Sequence, residues 1–201
     1  MTVAGVILAA GRSSRMAPCN KLLEEIGGRK VVARVAETAL ASAARPIVVV
    51  TGFAAPHIVE ALHGLDVTCV HNPDFALGLS TSLRAGLAAL PADCDGALIL
   101  LGDMPLIEAG DLEALIAAFA AKDRNSICVP VRRGRIGNPV LWGRAYFPEM
   151  MRLSGDVGAK RLLEIHRERV TEVETISDGI FADIDTPADL ARLATQAGPD
   201  A

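Results

Sequence analysis

What most constrains the fold of this chain is a rhythm. Short apolar runs rich in β-branched residues, at 3–9, 46–51, 67–71, 96–101 and 126–131, alternate with longer stretches of helical periodicity. The helical stretches fall at 31–43, 56–62, 81–90 and 111–121, and in the last of them Leu112, Leu115, Ile116 and Phe119 keep one apolar stripe. Pro56 suits the first turn of the second, and Pro91 closes the third. Strands this apolar need cover on both faces. The pattern therefore predicts an α/β chain with a largely parallel sheet between two layers of helices.

After residue 132 the rhythm changes. A basic turn, Arg132-Arg133-Gly134-Arg135, leads through Ile136-Gly137-Asn138-Pro139 to a short apolar run at 140–142. Helical segments at 144–151 and 158–167 and a strand at 170–174 follow. The last helix is announced by Thr186 as N-cap, Pro187 at its first position and Asp189 where a capping-box acid belongs. No internal repeat or linker interrupts the 201 residues, so residues 1–201 read as a single domain whose last few residues form a disordered tail. A chain of this size buries about 70% of its unfolded surface and needs no staple.

Composition removes several functions. Lys and Arg number 20 against 24 Asp and Glu, a net charge of −4, which argues against a nucleic-acid partner needing a basic face. Five Phe, one Trp and one Tyr are too few stacking platforms for single strands. Cys19, Cys69, Cys94 and Cys128 form no CxxC pair, and the four histidines form no HxxxH pair, so a soft-metal site has no local signal. No basic leader precedes the first strand, and no apolar run approaches the roughly 18 residues of a membrane span. The expectation is a cytoplasmic protein without membrane contact, its cysteines reduced and mostly buried.

The chemistry-bearing segments lie where strands end. Leu8-Ala9-Ala10-Gly11-Arg12-Ser13-Ser14-Arg15-Met16, with Lys21 beyond, runs from a buried strand into small residues, hydroxyls and three cations. Backbone amides can approach an anion there, with Arg12, Arg15 and Lys21 balancing its charge. A solvated basic turn would carry the same letters. The segment is neither GxGxxG nor GxxxxGK[ST], so nicotinamide-dinucleotide and Walker-type readings do not fit. Asp103, directly after the strand at 96–101, can hold Mg²⁺ or can cap the helix that follows. Asp183 and Asp185 precede the last helix; on an extended backbone they point oppositely, so one faces the site and the other solvent or a cap. Asn72 and the hydroxyls of Ser80 and Ser82 stand at a helix start, either binding a nucleotide or simply capping. Asn138 and the turn Gly155-Asp156-Val157-Gly158 read as ordinary loops when taken alone.

Taken together, the 8–16 segment with Lys21, then 78–86, 102–105, 137–139, 155–160 and 183–190, resemble the molybdenum cofactor nucleotidyltransferases, and most closely their cytidylyltransferase branch. The motifs occur in family order over nearly the whole chain. Ala10 stands where the guanylyl-transferring branch carries a second glycine, while Ala17 and Asn20 replace a glycine and a proline usual in the family.

The resemblance implies a three-layer, Rossmann-like nucleotidyltransferase fold with a mostly parallel central sheet. It also implies transfer of CMP from CTP to the terminal phosphate of the molybdopterin cofactor, with release of pyrophosphate. On it, Arg15, Lys21 and Asp103 are catalytic, and Asp103 and Asp185 hold Mg²⁺ or Mn²⁺. Leu8, Ala9, Ala10, Gly11, Arg12, Ser13, Arg15, Lys21, Asn72, Ser80, Ser82 and Asp103 meet the nucleotide; Asn138, Gly155 and Asp156 meet the acceptor. A recipient molybdoenzyme or its chaperone would take the product. The rival readings are a GTP- or CTP-dependent transfer to another phosphorylated acceptor, and a non-catalytic accessory protein that binds the finished cofactor.

Overall fold

A computed structural model of the chain describes residues 1–13, 16, 19–156 and 158–196. The expected alternation is present. Strands β1 (Val3–Ala9), β4 (Ile47–Thr51), β5 (Thr68–His71) and β6 (Gly96–Leu101) lie parallel in the spatial order β5-β4-β1-β6. Beyond β6 the sheet continues through β9 (Val140–Gly143), antiparallel to both its neighbours, to β7 (Ile127–Arg132) and β10 (Val170–Glu174). A two-residue strand, β8 (Arg135–Ile136), folds back on β7. A small separate hairpin, β2 (Glu25–Ile26) with β3 (Arg29–Lys30), completes the strands.

Period-two alternation divides the buried residues between two cores. Ile7, Ile47, Val49, Leu98 and Leu100 face one layer, in which α1 (Val31–Leu40), α4 (Ala109–Ala120) and α7 (Pro187–Gln196) contribute Val35, Phe119 and Leu193. Val6, Val48, Val50, Ala97 and Ile99 face the other, where α3 (Leu79–Ala88), α5 (Phe147–Met150) and α6 (Lys160–Ile165) contribute Leu83, Leu87, Met150 and Leu162. The remaining helix, α2 (Ala55–Ala61), inserts Ile58 into the first core. Helix α3 lies close to the sheet at Gly86, where an added Cβ would come within 2.4 Å of Val6 Cγ1. The edge strand β5 is largely exposed and polar, as an unpaired sheet edge should be. Among the described residues no helix is long and apolar enough to cross a membrane.

Several details differ from the sequence reading. Helix α1 stops at Leu40, not 43, because the Arg45 guanidinium takes the carbonyls of Leu40, Ser42 and Ala44 at 2.6–3.0 Å and closes a turn there. The stretch at 144–151 is a 3₁₀ turn leading into the four residues of α5, with Pro148 in its first turn. Asp183 and Asp185 sit in an irregular loop, not on a strand, so strict alternation does not orient them. Two of the four cysteines, Cys19 and Cys69, are exposed rather than buried. The start of the last helix is as expected: Asp189 Oδ2 accepts from the Thr186 amide at 2.9 Å, and Thr186 Oγ1 accepts from the Asp189 amide at 3.2 Å. Residues 197–201, expected as a tail, lie outside the described residues.

Candidate active site

After β1 the chain builds outward to β4 and β5, then returns past β1 to place β6 on its other side. Such a reversal opens a crevice beyond the carboxyl ends of the two central strands. The crevice is a cleft of 630 Å³, walled by the loop after β1, the loop after β6, the start of α3 and Asp185.

The first wall carries Leu8, Ala10, Gly11, Arg12 and Ser13, all on the cleft. None of the backbone hydrogen bonds between described residues is donated by Gly11, Arg12 or Ser13, so these amides remain available to a ligand. An added Cβ at Gly11 would meet nothing within 4 Å; it would project into open space, which the glycine leaves clear. Arg12 lies over the Phe75 ring at 5.5 Å. The Ala9 and Ala10 side chains are both buried in the apolar cores, which leaves mainly their backbone for a ligand. Arg15 lies outside the described residues.

Lys21 projects from a short 3₁₀ turn, and the reason is local. Asn20 Oδ1 accepts from the Leu22 amide and from Ser13 Oγ, each at 3.1 Å, so one side chain both caps the turn and ties it to the first loop. The ammonium reaches Asp103 Oδ2 at 2.6 Å, the Ile184 carbonyl at 2.5 Å and Asp185 Oδ1 at 3.5 Å. Asp103 is not a helix cap: the N-cap of α4 is Glu108, whose amide donates to Asp111 Oδ2 at 3.3 Å. With Oδ2 taken by Lys21, the other oxygen, Oδ1, is buried and has no hydrogen-bond partner among the described residues. A buried carboxylate oxygen without a partner is costly unless something positive or hydrogen-bearing meets it. Two carboxylates at the end of a cleft are a hard-oxygen donor set that fits Mg²⁺ or Mn²⁺. Among the described residues no group of three His, Cys, Asp or Glu gathers as a metal cluster, so remaining ligands would come from substrate and water. Asp183 is exposed and off the cleft, which leaves Asp185 as the loop's contribution.

The α3 wall is built differently from expectation. Its N-cap is Gly78, and Ser80 caps nothing; it is buried, with Oγ unpartnered, and does not line the cleft, whereas Ser82 does. Asn72 does not line the cleft; its Nδ2 donates to Thr81 Oγ1 at 2.8 Å and Ser82 Oγ at 3.0 Å, pinning the helix start. The helix is capped from far along the chain, the Leu79 amide donating to Asp156 Oδ1 at 3.2 Å and the Ser80 amide to the Gly155 carbonyl at 3.2 Å. Asp156 thereby lines the cleft while Gly155 sits behind Gly78. Asn138 is not on the cleft; its amide donates to the Ile180 carbonyl at 3.0 Å. Two contributors were given no role at the cleft from the sequence: Asn20, noted only as a departure from the family pattern, and Phe75. Asn20 was legible as a cap residue ahead of a short turn, and Phe75 as one of only five phenylalanines, set in a polar turn.

A crevice at a topological switch point, with open amides, cations and a carboxylate converging on it, marks an α/β protein with a cleft suited to a phosphate-bearing ligand. The comparisons place it more narrowly. The MobA-like NTP transferase domain family matches residues 5–171, and the chain belongs to that family. The bifunctional protein GlmU of Paracidovorax citrulli is 31% identical over 184 residues, 89% of this chain and 36% of GlmU. The chain spans about 24–36% of the length of the curated relatives it first matches. A nucleotidyl transferase from Methanothermobacter thermautotroptrophicus superimposes with a TM-score of 0.85 at 28% identity, covering 98% of this chain and 97% of that one. Rv0371c from Mycobacterium tuberculosis H37Rv, in complex with manganese, superimposes with a TM-score of 0.80 at 28% identity, covering 97% and 99%.

Proposed function

We propose that the protein transfers CMP from CTP to the terminal phosphate of a molybdopterin-type cofactor. The observation that carries this reading is the buried, unpartnered Oδ1 of Asp103, held beside Lys21 at the end of an amide-lined cleft. The nucleophile is a phosphate oxygen already ionised at pH 7, so no histidine or cysteine base is required. A bond forms from that oxygen to the α-phosphorus, the bond from the α-phosphorus to the bridging oxygen breaks, and the electron pair leaves with pyrophosphate. The amides of Gly11, Arg12 and Ser13, with Arg12 and Arg15, bind the triphosphate. Lys21 holds Asp103 in place and offsets charge gathering on the leaving group. A divalent cation, Mg²⁺ or Mn²⁺, held by Asp103 and Asp185, would supply Lewis-acid charge neutralisation at the α-phosphate. That the similar Rv0371c was solved in complex with manganese supports a role for a divalent ion.

The preference for CTP rests on Ala10, which borders the cleft where the guanylyl-transferring branch has a glycine; its methyl is buried in the second apolar core beside Gly52, so it would act on the base through the path of the loop. One methyl is worth about 1–3 kcal/mol, so the preference is clear but not absolute. Asp156 and Ser82 would meet the nucleotide or acceptor at the cleft's α3 side. The wider reading is a single cytoplasmic domain over residues 1–201 that hands its product to a molybdoenzyme or its chaperone. One other reading stands beside it, the same transfer, from GTP or CTP, to a different phosphorylated acceptor. Purified protein with molybdopterin cofactor, each of the four nucleoside triphosphates and Mg²⁺, assayed for pyrophosphate, decides between them. Release with CTP and the cofactor supports the reading; release only with another acceptor replaces it.

A further inference from the structure

The turn Arg132-Arg133-Gly134-Arg135 has no part in the nucleotide cleft. It borders a second concavity, also of 630 Å³, on which Arg34, Arg132, Arg133, Arg135 and Arg192 converge with Phe181. Two acids line it, Glu108 and Asp178. Asp178 is engaged by Arg132 Nε at 2.5 Å, and Arg192 is paired with Asp189 at 3.2 Å. Arg34 donates to the Ile26 carbonyl at 3.3 Å. Among the described residues neither Arg133 nor Arg135 has a carboxylate partner for its guanidinium, although the Arg133 amide donates to Glu174 Oε1 at 3.4 Å. In a chain whose net charge is −4, five guanidiniums against two carboxylates in one concavity is a local inversion of sign.

The walls are fixed rather than loose. Gly179 packs so tightly under the Leu106 carbonyl that an added Cβ would overlap it, joining the turn at 178–181 to the loop after β6. Arg135 lies over the Phe181 ring with its guanidinium carbon 4.6 Å from the centroid, which holds the planar donor group at the wall of the concavity. Arg133 takes the first central position of the β7–β8 hairpin at φ +53°, ahead of Gly134 at φ +73°, a position that favours Asn, Asp or Gly. Hairpin geometry alone does not select an arginine there.

We propose that this basic concavity is a second binding site, separate from the nucleotide cleft, for a small ligand carrying two or more phosphate groups. Unpaired planar guanidiniums recognise phosphate through paired N–H donors, and several together match a multiply charged anion. The concave walls suit a small molecule rather than a nucleic-acid backbone or a membrane surface. The proposal does not rest on the reading of the cleft, because the two sites are observed through different residues.

The test is an amide-resolved NMR titration with inorganic tripolyphosphate, without divalent metal, on the wild type and on a double variant, Arg133→Ala with Arg135→Ala. Both side chains are exposed, so the variant should fold. The wild type should show saturable shifts at residues 133–136 and 178–182, with the dissociation constant there weakened at least about tenfold in the variant. Shifts at 11–13, which report the nucleotide cleft, should titrate alike in both proteins. Shifts confined to 11–13, shifts at 133–136 that never saturate, or equal affinity in the two proteins would overturn the proposal.

Discussion

Replacing Lys21 by Met tests whether the ion pair that organises the cleft also holds the fold together. The ammonium stands 2.6 Å from Asp103 Oδ2 and 3.5 Å from Asp185 Oδ1, with side-chain exposures of 16% for Lys21, 19% for Asp103 and 46% for Asp185. At an effective dielectric of about 20, the shorter contact is worth about 6 kcal/mol before desolvation, and most of that offsets the cost of burying the two charges. The contact to the half-exposed Asp185 is discounted further by solvent. Breaking a fully buried pair costs about 3–5 kcal/mol because one charge is left without a partner; with about a fifth of each side chain still wet, about 2–4 kcal/mol is expected here. The thioether fills the space of the aliphatic stem, so packing changes little. For a chain of this length the loss corresponds to a melting temperature lower by about 5–15 °C. The control is a double-mutant cycle with Asp103→Asn, which should itself be partly compensated in the Lys21→Met background. Thermal unfolding monitored by circular dichroism at pH 7.5 reads all four proteins. A drop of less than about 2 °C for Lys21→Met, or strictly additive effects of the two substitutions, would refute the argument that the pair is held as a unit.

Three further outcomes follow from the same geometry. Asp103→Ala should lower turnover at least about a hundredfold, or about 2.7 kcal/mol, while circular dichroism reports an unchanged fold; wild-type pyrophosphate release would remove Asp103 from the chemistry. Gly78→Ala places a Cβ 2.4 Å from the Gly155 carbonyl carbon on a backbone at φ +112°, ψ +167°, a region nearly restricted to glycine, so it should cost at least about 2 kcal/mol in urea unfolding and raise KM for the nucleotide as Asp156 leaves α3. Thr186→Ala should lower the melting temperature by about 2–4 °C at pH 7 through loss of the α7 cap. The bonds from Thr186 and Arg192 hold the Asp189 carboxyl down at about 2, below its ordinary 3.8. Stability from that depressed group is present above about pH 3.8 and lost as pH falls through about 2, so the gap between wild type and Thr186→Ala should close over that window.

How much of this was legible in the sequence depended on the range of the interactions. Strand β1 and strand β6 were readable to the residue, because a strand buried on both faces must be apolar without interruption. The capping of α7 was equally plain, since Thr186 and Asp189 act on each other within one turn. The capping of α3 was not, because its acceptor, Asp156, lies 77 residues away and only the folded loop brings it to Leu79. Hydroxyls at a helix start suggested local capping by Ser80, but Gly78 took that place and left Ser80 buried. Lys21 and Asp103 were both singled out from the end of a strand or the loop beyond it. Their contact was out of reach, since charges that meet across a crevice leave no mark in spacing. The β2–β3 hairpin went unread for the opposite reason: with two residues in each strand it is too short for any periodicity to show.

The most direct test of the central claim, that Asp103 and Asp185 close a metal-dependent nucleotide cleft, is anomalous X-ray scattering from crystals grown with CTP and Mn²⁺. The account predicts one strong anomalous peak within coordinating distance of Asp103 Oδ1 and Asp185, with the triphosphate along Gly11, Arg12 and Ser13. A triphosphate seated elsewhere, or a Mn²⁺ peak at other residues with Asp103 still held only by Lys21, would contradict it.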